Sequence, residues 1–258
     1  MKTVLLISSL VSASQVGATA SAFCLRRLGV DVVMLPTTLF GRHPGWGPPG
    51  GMAVSAQTLS DMWEAILAQN IKFDAVMTGY MAAKDHIDLA ISIIKTVRAE
   101  NPDAKILIDP VKGDDGRLYI PETRASAMIE QLIPKADFIT PNLWELEYIQ
   151  ASLKRLPARL ITSVPDGENI GAIWEDGRES WQVSHTKFET VPHGGGDSLA
   201  ALFLGRRLLG EPAKLALAKS VASVFEIMRA ANALDSGELP LVRMQAFIND
   251  AIPLELKT

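Results

Sequence analysis

The sequence predicts an α/β fold: a doubly wound, mostly parallel central sheet flanked by helices, in a single domain over residues 1–258. Three observations predict it. Short apolar runs of strand length alternate with longer stretches of helical periodicity along almost the whole chain. That alternation marks parallel strands joined by crossover helices. Polar residues close the apolar runs, namely Ser9, Thr37, Tyr80, Asp109, Thr140 and Ser163, and such sheets bind ligands at the carboxyl ends of their strands. With 258 residues, 48% of them hydrophobic, the chain can bury one large core.

Each element follows from local pattern. Residues 3–8 form the first strand, because Val4, Leu5, Leu6 and Ile7 are apolar without alternation. Residues 17–28 form a helix, with Ala18, Ala22, Leu25 and Leu28 at helical spacing and Gly29 stopping it. A strand over 30–35 follows. Residues 41–51 hold five glycines and three prolines and are the largest turn-rich segment, expected to move as a flap carrying Trp46. Ser60 caps a helix over 60–69. Strands over 75–78 and 105–108 flank a helix over 84–99. A helix over 121–132, a strand over 137–140, a helix over 142–152 and a strand over 159–163 continue the alternation. Residues 170–174 and 180–183 pair as a hairpin around Asp176 and Gly177. Helices over 197–209 and 212–234 complete it. Beyond Leu234, the apolar Leu239, Leu241, Met244 and Phe247 are able to fold back onto the domain.

Composition narrows the function. A net charge of −4 and a pI near 5.6 argue against nucleic acid as a partner, since phosphate backbones select basic surfaces. The one cysteine, Cys24, rules out an intrachain disulfide and a cysteine zinc cluster. The apolar run at Val4 is too short for the core of a secretory signal, and no stretch approaches the ~20 apolar residues of a membrane span. A cytoplasmic protein without a membrane partner is expected.

The segment with the most chemistry is His193, Gly194, Gly195, Gly196, Asp197 and Ser198, followed by the apolar run from Leu199. Glycines let successive N–H groups converge on one point. The helix that follows adds roughly half a positive charge there. A carboxylate at that point can take a proton from a hydroxyl while the N–H groups hold developing negative charge. The combination suits phosphoryl transfer to an alcohol.

Other segments stand in a definite order around it. Ser9 with Val16 and Gly17, Thr37 with His43, and Gly79 with Tyr80 come first. Asp109, Pro110, Val111, Lys112, Gly113 and Asp114 follow, then Thr140, Pro141, Asn142 and Glu145, then Thr162 and Ser163. In this order they resemble the ribokinase superfamily, and within it the pyridoxal kinases. The Asp109-Pro110-Val111 run, the Pro141-Asn142-x-x-Glu145 run and the early block from Arg26 to His43 carry the resemblance most specifically.

The resemblance implies a ribokinase-like fold and ATP-dependent phosphorylation of the 5′-hydroxymethyl of pyridoxal, pyridoxine or pyridoxamine. It implies that Ser9, Val16, Thr37, His43 and Tyr80 bind the vitamer ring. Asp109, Thr140 and Glu145 would hold Mg²⁺, with K⁺ or Na⁺ as a further cation. Asp114, Tyr119, Asn142, Thr162 and Ser163 would line the nucleotide, Asp197 would be the base, and Gly194, Gly195 and Gly196 the anion hole. A homodimer is expected. Two alternatives fit the same resemblance: a hydroxymethylpyrimidine kinase, or a catalytically silent homologue that binds the vitamer or a nucleotide.

Several positions depart from the family pattern. Gly195 replaces a Thr or Val, and His193 stands where a smaller or apolar residue is usual. Lys112 stands where Met or Leu is common, free either to help with phosphates or to be solvated. Between Ile149 and the strand at 159, roughly one helix of about 11–12 residues is missing. That gap is expected on the nucleotide side, with an opened adenine pocket and weak ATP affinity.

Overall fold

A computed structural model describes residues 1–114 and 116–257, with Asp114 described in its backbone alone. The chain runs β1 (Thr3–Val11), α1 (Gly17–Arg27), β2 (Asp31–Phe40), a 3₁₀ turn (Pro44–Trp46), β3 (Gly51–Ala53), α2 (Ala56–Leu67), β4 (Ala75–Thr78) and α3 (Lys84–Glu100). It continues through β5 (Lys105–Ile108), the two-stranded ribbon of β6 (Gly113–Asp114) and β7 (Arg117–Leu118), α4 (Glu122–Ala127), β8 (Phe138–Ile139) and α5 (Leu143–Gln150). It closes with β9 (Ala158–Asp166), β10 (Asn169–Glu175), β11 (Ser180–Thr186), α6 (Gly195–Leu208), α7 (Ala213–Ala233), α8 (Ala246–Asn249) and β12 (Leu256–Lys257).

Among the described residues the main sheet has ten strands in the order β12-β11-β10-β9-β8-β5-β4-β1-β2-β3. Strands β2, β1, β4, β5, β8 and β9 are parallel. The antiparallel β10, β11 and β12 extend one edge, and β3 the other. Alternating side chains of β1 serve two cores, as strand geometry requires. Val4 and Leu6 face α1, α6 and α7, whereas Leu5 and Ile7 face α2, α3 and α4. A strand covered on both faces has no polar side, which is why its apolar run is unbroken.

Several local expectations need correction. Helix α2 begins at Ala56, and its cap is Ser55, whose side chain accepts the Thr58 N–H at 3.1 Å; Ser60 lies inside the helix. The segment after α4 continues as a wider turn over Met128–Leu132 and a 3₁₀ turn over Ile133–Lys135, where Pro134 ends regular helix. Ser9 and Thr37 do not close their strands. Strand β1 runs on to Val11 and β2 to Phe40, with a bulge that sets Ser8 opposite Pro36 and Leu10 opposite Leu39. The bulge re-aims the side chains at Ser9 and Thr37. Ser163 also lies within its strand, in the left-handed region at φ 57°.

The shortened segment is a loop from 151 to 157. A groove of about 510 Å³ lies there, lined among others by Arg155, Pro157, Arg159, Glu175 and Arg178. It flanks the start of β9, whereas Asp109 and Thr140 follow the carboxyl ends of β5 and β8. The loop leads into β9, whose Thr162 bridges to Asn142 beyond β8. The segment after Leu234 does not refill the gap. Leu239 and Leu241 join the core formed with α1, α6 and α7, while Leu153 and Leu156 pack on the opposite core. Among the described residues no helix is long and apolar enough to cross a membrane.

Candidate active site

Asp197 sits in the first turn of α6, and its carboxylate faces the backbone N–H of Gly17, the first residue of α1. Val16, the cap residue of α1, offers no side-chain cap, and the Asp197 carboxylate lies at that uncapped N-terminus. Two helix N-termini thus converge on one carboxylate. Burial pushes the Asp197 carboxyl above its ordinary range, and the Gly17 N–H partly offsets that shift. In the same turn the N–H groups of Gly195, Gly196 and Asp197 have no acceptor within their own helix. Gly194 turns the chain into α6 at φ 97°, and a Cβ there would strike the Gln15 carbonyl oxygen. Only glycine meets both conditions.

Asp109 is 8% exposed, just beyond β5. Burial, then the charges of Asp197 and Glu145, push its carboxyl well above the ordinary value. The Thr140 hydroxyl faces it and moderates the shift, yet Thr140 Oγ1 is buried without a hydrogen bond of ordinary geometry. A buried hydroxyl oxygen and a crowded carboxylate are hard donors, and both fit a hard cation shared with phosphate oxygens. Glu145 is placed differently. Its Oε1 accepts from the N–H groups of Lys112 (2.8 Å) and Gly113 (3.3 Å), and its Oε2 from Asn142 N–H (3.1 Å). Those bonds make it a structural carboxylate whose charge still acts on Asp109. Among the described residues no three His, Cys, Asp or Glu side chains form a ready-made metal cage.

Asn142 caps α5 in a capping box with Glu145, and its Nδ2 donates to the Gly113 carbonyl at 2.9 Å. Thr162 is drawn beside it, donating its N–H to the Pro141 carbonyl and bridging to Asn142. Ser163 is exposed. Tyr119 is 60% exposed beyond β7, tied through its N–H to the Lys112 carbonyl at 2.7 Å. The side chain of Asp114 lies outside the described residues.

On the opposite flank, Ser9 is buried against Gly17, where a Cβ would meet both Ser9 Oγ and its carbonyl. The buried Thr37 hydroxyl donates to the Tyr80 carbonyl at 2.7 Å and so fixes Tyr80 at the end of β4. Val16 is buried beside them. His43 lies in the 41–51 loop, stacked on His193 with ring centroids 4.3 Å apart. Ser9, Val16, Thr37 and Tyr80 are thereby joined to Asp197 through Gly17 and the bulged β1–β2 pair.

Lys112 is neither solvated nor aimed at open solvent. It is 0% exposed, its Nζ donates to the Glu145 carbonyl at 3.1 Å, and it lies 5.3 Å from the Tyr148 ring centroid. Burial pushes its ammonium down to about 8, with Glu145 opposing. Spacing alone gives no sign of this, because a lysine after a strand is ordinarily exposed. The Gly17 contact to Asp197 is equally silent in sequence, since the two lie 180 positions apart along the chain and meet only in space.

The arrangement can be set beside known proteins. A family profile described as Phosphomethylpyrimidine kinase matches residues 49–242. Pyridoxal kinase PdxY of Leifsonia xyli subsp. xyli is 30% identical over 95% of this chain and 94% of its own length. Pyridoxal kinase PdxY of Corynebacterium diphtheriae is 29% identical over 95% of both chains. In fold, the crystal structure of pyridoxal kinase from Entamoeba histolytica superposes with a TM-score of 0.91 at 22% identity, covering 100% of this chain and 99% of that one. The ribokinase-like architecture, the ordered motifs and the near full-length similarity agree: this chain belongs to the pyridoxal kinase family, within the wider family that the phosphomethylpyrimidine kinase profile describes.

Proposed function

We propose that this protein transfers the γ-phosphate of ATP to the 5′-hydroxymethyl of pyridoxal, pyridoxine or pyridoxamine. The observation that carries the reading is the Asp197 carboxylate at the meeting of two helix N-termini. It lies in a chain that aligns over 95% of its length with proteins named pyridoxal kinase.

Ser9, Val16, Thr37, His43 and Tyr80 hold the ring, with Thr37 setting the Tyr80 backbone. In this reading the hydroxymethyl points toward Asp197. The raised pKa of Asp197 suits a base that works near neutral pH, because it takes the hydroxyl proton more readily than an ordinary aspartate. The free N–H groups of Gly195, Gly196 and Asp197 hold the negative charge that develops on the transferring phosphoryl group. Asp109 and Thr140 would hold Mg²⁺ together with the ATP phosphates, and Glu145 adds charge from behind its backbone bonds. When bound, the ion neutralises charge on the phosphoryl oxygens. Asn142, Thr162, Tyr119 and Ser163 line the nucleotide side in this reading, and the expected role of Asp114 falls on a side chain outside the described residues. The reading includes a K⁺ or Na⁺ requirement, a cytoplasmic setting and a homodimer, the last checked by light scattering.

The test is a coupled ADP-release assay with ATP and Mg²⁺ against each of the three vitamers and hydroxymethylpyrimidine. Turnover of the vitamers with poor turnover of the pyrimidine is expected. Preference for the pyrimidine would move the assignment to the other branch of the family. Turnover of none would mean a binding protein.

A further inference from the structure

The loop from 41 to 51 is folded onto the glycine loop. His43 and His193 stack at 4.3 Å with an interplanar angle of 24°. Trp46 packs edge-on to His43 at 5.8 Å and lies 6.4 Å from His193. Inside the loop, His43 Nδ1 accepts the Gly45 N–H at 3.1 Å, and Pro44 begins the 3₁₀ turn that aims Trp46. The root of the loop is anchored too: Ser12 and Ala13 donate to the carbonyls of Phe40 and Gly41, and Gly41 N–H reaches the Pro49 carbonyl at 3.0 Å. The loop is therefore a preformed unit with a defined docking face.

What it docks on is the residue before the anion hole. Gly194 follows His193 directly, wedged against the Gln15 carbonyl, with Leu239 packed below. Gln15 N–H is held in turn by Glu238 Oε2 at 2.8 Å. Four separate segments, 12–16, 41–51, 193–197 and 238–239, meet at this point. Burial, then the neighbouring His193, lowers the His43 pKa, while Glu238 opposes the shift. A neutral ring stacks without like-charge repulsion.

We propose that His193 is a positioning residue, the post on which His43 and Trp46 of the 41–51 flap dock, so that closing the flap over the vitamer fixes the glycine loop for phosphoryl transfer. It rests on the kinase reading above and adds to it a physical link between the two substrates. An open flap withdraws the His193 contact from the glycine loop, so ATP is not cleaved productively until a vitamer has been enclosed.

The experiment compares His193→Ala, His193→Phe and Trp46→Ala with the wild type. The readouts are KM for pyridoxal and for ATP, ADP release without vitamer, and amide hydrogen exchange over 41–51 and 193–197 in the unliganded protein. His193→Ala is expected to raise KM for pyridoxal about fivefold, the size of an aromatic stacking contact, with KM for ATP unmoved. The rate at saturating substrates should fall, ADP release without vitamer should not rise above the wild-type level, and exchange should quicken in both segments together. Trp46→Ala should give the same pattern from the flap side. His193→Phe should restore all of it, which separates stacking from proton transfer. Faster exchange confined to 41–51 with unchanged kinetics overturns the proposal, and so does a Phe variant that behaves like Ala. Exchange needs no turnover. A wild type that phosphorylates no vitamer therefore refutes the kinase reading, while linked exchange in the two segments still decides the docking contact.

Discussion

Asp197 takes the strain of two demands. It must be ionised to accept a proton, yet burial favours its neutral form. Asp197→Asn is expected to lower kcat by roughly 10²–10⁴-fold, the usual worth of a general base, while calorimetry finds pyridoxal still bound. The rate should rise with pH on an acid limb above the ordinary carboxylate value of 3.8, and the limb should vanish in the Asn variant. Stability should run the other way. A carboxyl whose pKa is raised on folding holds its proton more tightly in the native state. Stability is then full below the unfolded value and falls as pH rises toward the folded one. Neutralising the group removes that loss, so Asp197→Asn and Asp109→Asn should both melt higher than wild type at neutral pH in calorimetric scans. A lower melting temperature for both would contradict the burial argument.

At the scale of elements, the first turn of α5 and the ribbon of β6 and β7 act as one piece. Lys112 grips Glu145 twice, by backbone N–H on the carboxylate and by ammonium on the carbonyl, and Asn142 reaches across to Gly113. Lys112→Met, the residue type more usual there, removes the ammonium bond while filling the space. We expect KM for ATP to rise about tenfold, since a hydrogen bond from a charged donor is worth roughly 1.5 kcal/mol. KM for pyridoxal should stay constant. The melting temperature should hold or rise, because an apolar side chain replaces a buried charge. Equal changes in both KM values would show a general loss of structure instead. Asn142→Ala should lose about 1 kcal/mol in urea unfolding through the broken cap.

Across the whole molecule, the glycine loop is supported from a segment more than forty residues downstream. Leu239, 3% exposed, packs against Gly194, and Glu238 fixes the Gln15 backbone beside it. The buried Arg206 of α6 binds the Ile248 carbonyl at 2.5 Å, so the end of the chain also grips the helix that carries Asp197. Leu239→Ala is expected to cost about 2–5 kcal/mol in urea unfolding, as for other buried leucines. It should also lower kcat under conditions where the variant remains folded. Full turnover in a destabilised but folded variant would show that the glycine loop holds its shape unaided.

The order of the parallel strands and of the long helices between them, and the places of Asp109, Thr140, Asn142, Glu145 and Asp197 at strand ends and helix starts, are legible in the sequence, whereas the short β3, β6, β7, α8 and β12 are not. Each rests on local pattern: apolar runs of strand length, cap residues, and glycines before a helix. Pairings between distant segments are decided only by the tertiary structure. The bulge that keeps Ser9 and Thr37 inside their strands depends on how β1 and β2 twist together. The burial of Lys112 depends on α5 lying across it, and the approach of Gly17 to Asp197 on the meeting of α1 with α6. His193 on His43 depends on where a loop comes to rest. Local chemistry sets which residues are able to cap, bend or titrate, whereas burial and partner choice belong to the packed chain, and it is burial that raises the carboxyl pKa of Asp197.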